Sequence, residues 1–432
     1  MNGTPDLRRV HAAPRRVSGH TVIDVVGDRL GLVLAPQLGG RILSLCLDGQ
    51  EFLHRSDTLL DAECGAVDPA TVGPHGGEMA DWRNWGGDKT WPAPQGWSGP
   101  DEWAGPPDPV LDSGPYVPRI EHGPDGRQVC VALTSAPDPR TGLQLRREIQ
   151  LGAGGTDFAL RLIGTNVSER PVRWALWNVT QLPGHPPRQE GDGVWIGLAP
   201  DGPTATPLVA GTGNPRVERH GPRLAHVPAQ DVVGKAGFPA ASGWIAHVGP
   251  AGTWAHRFPV HAAAGYPDEG ARAEVWLEHP LDEPLRHLGG LQPTNRIVEC
   301  EVLGPYVELA PGESMRLDTS VLLGPHGGAV TEVGPWGWWN LPLGLRKDTD
   351  GGIRLSGRLV PCADSDTPLT LGVTPRGARA ATLHRTDLLV RAGQPLDLDG
   401  LPPLALVESG AVVEVFLGEG DGENCAGSAV CP

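Results

Sequence analysis

Apolar and polar side chains alternate with a period of two from one end of the chain to the other, and this constrains the fold more than any other feature. Stretches with the 3.6-residue period of an amphipathic helix are scarce. In Arg41–Leu47, residues Leu43, Leu45 and Leu47 share one face. Further on, Leu143, Leu145, Ile149 and Leu151 alternate with Gln144, Arg146, Glu148 and Gln150, the pattern of a half-buried antiparallel strand. The rhythm returns at Phe158-Leu160-Leu162, Val172-Trp174-Leu176, Ala273-Val275-Leu277 and Met315-Leu317-Thr319-Val321. Turns rich in Gly, Pro and Asn separate these runs, which predicts an all-β protein built as a large antiparallel sandwich. The 61 glycines and 45 prolines belong in such turns and exclude a helical bundle or coiled coil. Without a G-X-Y period they exclude collagen as well.

Three regions break the rhythm. Residues 64–118 are rich in Gly and Pro and carry Trp82, Trp85, Trp91, Trp97 and Trp103, too many tryptophans for a free linker. Residues 183–242 read as a second long excursion, of a length that signals function or disorder. At Gly334-Pro-Trp-Gly-Trp-Trp-Asn340 the texture of the strands changes, and a boundary is placed there, between 333 and 334.

Charge and cysteine usage narrow the partners. With 35 basic against 51 acidic residues the net charge is −16, and no basic stripe offers a surface for nucleic acid. No apolar run approaches the roughly 20 residues of a membrane helix, and no secretory leader is visible. Seven cysteines without a C-x-x-C point to a reduced, cytoplasmic setting. The expected partner is a small-molecule ligand, with neither nucleic acid nor membrane; oligomeric state is not legible.

Motifs of metal and nucleophile chemistry are absent: there is no H-E-x-x-H, no G-x-S-x-G and no Walker loop. The fifteen histidines show no ligand spacing, so neither a metal nor another cofactor is expected. The densest segment is Asp81-Trp-Arg-Asn-Trp-Gly-Gly-Asp-Lys-Thr-Trp-Pro-Ala-Pro-Gln95. Trp85 and Trp91 flank Asp88 and Lys89, and flat aromatic faces beside fixed hydrogen-bonding groups suit a sugar ring. The bland alternative is a rigid loop whose tryptophans cap a sheet. Only three lysines occur in the chain, and one of them stands here.

In Ile297-Val-Glu-Cys-Glu-Val-Leu303, alternation puts Val298, Cys300 and Val302 on one face and Glu299 and Glu301 on the other. Residues i and i+2 lie roughly 7 Å apart along a strand. Two like charges so close raise a carboxyl pKa where water is excluded, as a general base requires. A solvated strand face would carry the same residues. Glu274, Trp276 and Glu278 make a similar polar face.

Together these residues resemble a known group. Gly39-Gly-Arg-Ile42, the Asn-Trp-Gly-Gly-Asp-Lys-Thr-Trp-Pro-Ala-Pro-Gln block, Trp177-Asn-Val-Thr-Gln-Leu182 and Glu301-Val-Leu-Gly-Pro with Leu309-Ala-Pro-Gly-Glu-Ser314 look like the galactose-mutarotase-like superfamily, and within it the DUF4380 type. The resemblance covers roughly residues 20–325. It implies a β-supersandwich over 18–333 whose concave face binds carbohydrate, followed by a small β-rich segment over 334–432. It implies Glu301, or its neighbour Glu299, as catalytic base. Arg41, Asp88 and Lys89 would hold hydroxyls or an anionic substituent, Trp85 and Trp91 would stack on the ring, and Trp177 and Gln181 complete the binding set. Trp177 stands near the position of the superfamily's histidine acid, so another donor would be needed, among Lys89, His75 and His279. The expected function is carbohydrate binding with aldose 1-epimerase-like acid/base isomerisation as an open extension. A non-catalytic carbohydrate-binding module, or a glycoside hydrolase or lyase using paired carboxylates, are the alternatives.

Overall fold

The computed structural model describes residues 9–96, 101–186, 191–347, 349, 352–365, 367–378, 382–404, 407–418 and 425–431. Alternation is realised as expected: a twelve-stranded and a ten-stranded sheet carry most of the chain, and two four-stranded sheets follow. Neighbouring strands run antiparallel. Among the described residues, helix is confined to five three-residue 3-10 turns.

The two large sheets face each other across one core. Leu32, Leu45, Cys300 and Val302 from the first meet Leu145, Ile149, Leu160 and Leu317 from the second. Each fully buried aliphatic side chain of this kind contributes about 1.5–3 kcal/mol of transfer free energy. A second core gathers Trp339, Leu355, Leu371 and Val413 in the small sheets. A hairpin of Glu332–Gly334 with Gly337–Lys347 spans the expected 333/334 boundary.

Seven strands of the larger sheet lie side by side in the order Arg41–Leu47, Asp88–Ala93, Val172–Pro183, Ile297–Leu303, Ala273–Glu278, Gly234–Phe238 and Thr206–Ala210. Two expectations are corrected here. The 183–242 stretch is no loop: it supplies Gly193–Leu198, Thr206–Ala210, Glu218–His220, Leu224–Pro228 and Gly234–Phe238, strands spread over both large sheets. These strands have three to six residues each, too short for alternation to show between so many prolines and glycines. The tryptophan-rich block is likewise not all loop, since its Asp88–Ala93 portion is a wholly buried strand. Pro92 is tolerated because the neighbour on one side, Arg41–Leu47, pairs with this strand only at Ile42 and Asp88.

Candidate functional site

Alternation sends Asp88 and Lys89, adjacent in sequence, to opposite faces of the sheet. Asp88 turns into the core, where it pairs with Arg147 of the facing sheet and accepts from Asn178 Nδ2 (2.7 Å) and Thr180 Oγ1 (2.6 Å). Lys89 turns to the other face, with its ammonium 3.3 Å from Glu299 Oε1 and over the rings of Trp91 (4.7 Å) and Trp82 (5.2 Å).

On that outer face the cross-strand register builds a polar floor. Glu299 stands opposite Gln181 on one neighbour and Trp276 on the other, and Glu301 stands opposite Val179 and Glu274. Lys235 is the partner of Trp276 on the next strand, and Trp91 is the partner of Trp177. Above the floor is a cavity of about 910 Å³, near the top of the roughly 300–1,000 Å³ range of small-molecule sites. Its aromatic walls are Trp82, Trp91, Trp177 and Trp276. Its charged walls are Glu78, Asp268, Glu269, Glu278 and Glu299 against Lys235. The 64–118 segment therefore lines the cavity, through residues 77–79, Trp82, Trp91, Gln95 and 104–107. Trp97 lies outside the described residues.

Beneath the floor sits a buried ionic group. Lys235 Nζ donates to Glu274 Oε2 (2.8 Å) and Glu301 Oε2 (2.7 Å), and Trp177 Nε1 donates to the same Glu301 oxygen (2.7 Å). Burial alone would lower the Lys235 pKa, but the two carboxylates outweigh it and hold the ammonium above its ordinary range. Glu301 and Asp268 flank Glu274, so acidic groups crowd around one ammonium. Burial, reinforced by the neighbouring Glu301 and Asp268 charges, pushes Glu274 well above the ordinary carboxylate range despite Lys235.

The cavity wall itself has a different pair. Glu299 accepts from Lys89 and from Gln181 Nε2 (2.6 Å). Burial, reinforced by the Glu299 charge, pushes Glu278 up to about 7, and Trp276 Nε1 donates to its Oε1 (2.8 Å). Glu278 and Glu299 are diagonal neighbours across the strand pair, a spacing of roughly 7–8 Å between backbones. Asp268 and Glu269 at the rim adopt left-handed backbone conformations (φ 50° and 59°), strain that clusters at functional sites.

Of the residues expected to bind or react, Trp91, Trp177 and Glu299 line the cavity, while Lys89 and Gln181 lie just behind and hold Glu299. Glu301 lies on the expected face but is fully covered by Lys235 and Trp177, so it does not reach the cavity. Trp85 packs into an apolar cluster with Val22, Leu43 and Leu60, since its position before the strand turns it inward. Arg41 is wholly buried in an ion pair with Asp112, whose Oδ2 accepts from Trp82 Nε1 (3.0 Å). Arg41 and Asp88 thus brace the walls instead of meeting a ligand. His75 and His279 are absent from the walls. Lys235, Asp268 and Glu278 were not singled out as site residues. The Glu274-x-Trp276-x-Glu278 alternation and the scarcity of lysine were the available signals.

An antiparallel supersandwich with an acidic, tryptophan-walled cavity on the outer face of its larger sheet defines the class. The chain belongs to the family described as Domain of unknown function (DUF4380), whose model matches residues 23–321. Comparison with curated proteins finds no match. Among solved structures, the chain is similar to a TPR-domain containing protein from Parabacteroides distasonis (16% identity, 70% of this chain and 47% of that one, TM-score 0.44), so it spans about half of that protein's length. It is also similar to galactose mutarotase-like proteins from Lactobacillus casei (13% identity, 70% and 99% covered, TM-score 0.41) and Clostridium acetobutylicum (9% identity, 73% and 99% covered, TM-score 0.40).

Proposed function

We propose that the cavity binds a neutral or amine-bearing sugar, and that Glu278 and Glu299 interconvert its anomers as an acid/base pair. The observation that carries this reading is their placement together on the tryptophan-walled face, with Glu278 held near neutrality and Glu299 surrounded by donors. Tryptophan faces suit the apolar C–H faces of a sugar ring, and the carboxylates accept from its hydroxyls. Five acidic side chains against one lysine disfavour a uronic acid.

Glu299 takes the proton of the anomeric hydroxyl while Glu278 gives its proton to the ring oxygen. The bond between the anomeric carbon and the ring oxygen breaks as the carbonyl forms. Rotation and reclosure return both protons, so nothing is consumed. Glu278 supplies the acid for which Trp177 leaves no histidine.

One observation favours a binding module instead: Glu301, at the position the resemblance gives to the base, is sealed beneath Lys235 and Trp177. Two-dimensional exchange NMR on an equilibrating aldose separates the two. Wild type should accelerate anomer exchange; Glu278→Gln and Glu299→Gln should abolish the acceleration with affinity kept within about tenfold, or roughly 1.4 kcal/mol. Binding without acceleration would establish the module, and acceleration that survives both substitutions would overturn the assignment.

A further inference from the structure

Outside the walls of the cavity, a hairpin at the outer edge of the ten-stranded sheet joins Glu218–His220 to Leu224–Pro228. Glu218 stands directly opposite His226, and His220, two residues along, shares its face. One ligand atom from each of Glu218, His220 and His226 lies within 4.8 Å of the others. Histidines expected to show no ligand spacing are therefore brought together by pairing across a turn.

The contacts around this trio orient it. His226 Nε2 donates to the carbonyl of Asp192 (3.0 Å), which leaves Nδ1 as the lone pair facing Glu218. Trp195 stacks flat on the His226 ring, 4.0 Å between centroids at 10°. Arg216 Nη1 donates to Glu218 Oε1 (2.8 Å), so Oε2 is the oxygen turned to both imidazoles. That oxygen is 3.8 Å from His226 Nδ1 and 3.6 Å from His220 Nε2, beyond hydrogen-bond reach. A carboxylate oxygen facing an imidazole lone pair is repulsive until a cation stands between them. Ligands at about 2.0–2.2 Å around a tetrahedral zinc are roughly 3.3–3.5 Å apart. The two carboxylate–imidazole gaps therefore close with shifts of a few tenths of an ångström, while the imidazole nitrogens, within 4.8 Å of each other, close by a turn of the exposed His220 ring. The histidine whose second nitrogen is held by a carbonyl is the usual support of a metal ligand.

We propose that Glu218, His220 and His226 bind a divalent zinc-type cation, with a fourth position open to water. Two nitrogens and one carboxylate oxygen match the donors such a cation takes. Glu218 and His220 are partly exposed, so the ion can enter. Bound there, it fastens an edge hairpin of only three paired residues on its outer strand and blocks pairing with a foreign strand.

The test uses the full chain, stripped with chelator, supplied with zinc and passed over a sizing column before metal analysis. Cobalt substitution adds a spectroscopic signature. Wild type should retain zinc in a one-to-one ratio and give the intense visible bands of tetrahedral cobalt. His220→Gln, at an exposed position, and Glu218→Gln should each weaken binding at least tenfold and lose those bands. No zinc on the wild type, or full zinc on both variants, overturns the proposal.

Discussion

Lys235→Met isolates the buried ionic group. At 2.7 Å and an effective dielectric of about 20, the gross attraction of the ammonium for Glu301 is about 6 kcal/mol. Part of this is offset because methionine has no charge to desolvate. Removing the ammonium leaves Glu274 and Glu301 without their shared partner, with Trp177 Nε1 still donating to Glu301. The expected loss is at least that of breaking a buried ion pair, about 3–5 kcal/mol at neutral pH. Without the lysine the folded-state carboxyl pKa rises further above its unfolded value. The folded state then holds its proton to higher pH than the unfolded chain does, so variant stability falls as pH rises through that window. Urea unfolding at pH 5 and pH 8 reads this directly: the gap between variant and wild type should be smaller at pH 5. Adding Glu301→Gln to Lys235→Met should recover part of the loss. A loss under about 1 kcal/mol, or one unchanged between the two pH values, would refute the reasoning.

Glu278 makes a pH prediction of its own. Its folded pKa is raised from 4.5 to about 7, so it costs stability progressively as pH rises through that interval; Glu278→Gln should flatten the corresponding part of the stability profile measured by thermal unfolding. Arg41→Met strands the Asp112 carboxylate and should cost about 3–5 kcal/mol in denaturant unfolding. It should also weaken sugar binding in calorimetry, since Asp112 holds Trp82 in the wall, and Arg41→Lys should not restore either property.

The strands were legible because their signal is local: alternation within Leu143–Gly152 or Ile297–Leu303 needs no partner to be recognised. The face carrying Glu299 and Glu301 was legible for the same reason. Which glutamate reaches the cavity was not, because that depends on Lys235 and Trp177, 66 and 124 residues from Glu301. Asp88 and Lys89 show the same limit. Their adjacency reads as a surface pair, yet once Asp88–Ala93 is a strand they must part, one to Arg147 and one to Glu299. Arg41 was found through its motif and misassigned in role, since Asp112 lies 71 residues away. The zinc-type trio spans only nine positions, yet it escapes any linear pattern because the turn between Glu218 and His226 creates it.

The central claim concerns the occupant of the cavity and its contacts. Crystals of the full chain soaked in a mixture of neutral, amino and uronic monosaccharides test it most directly. The account predicts a neutral or amine-bearing sugar against Trp91, Trp177 or Trp276, with hydroxyls on Glu278 and Glu299. A uronic acid selected from the mixture, or a sugar bound elsewhere while this cavity stays empty, would contradict it.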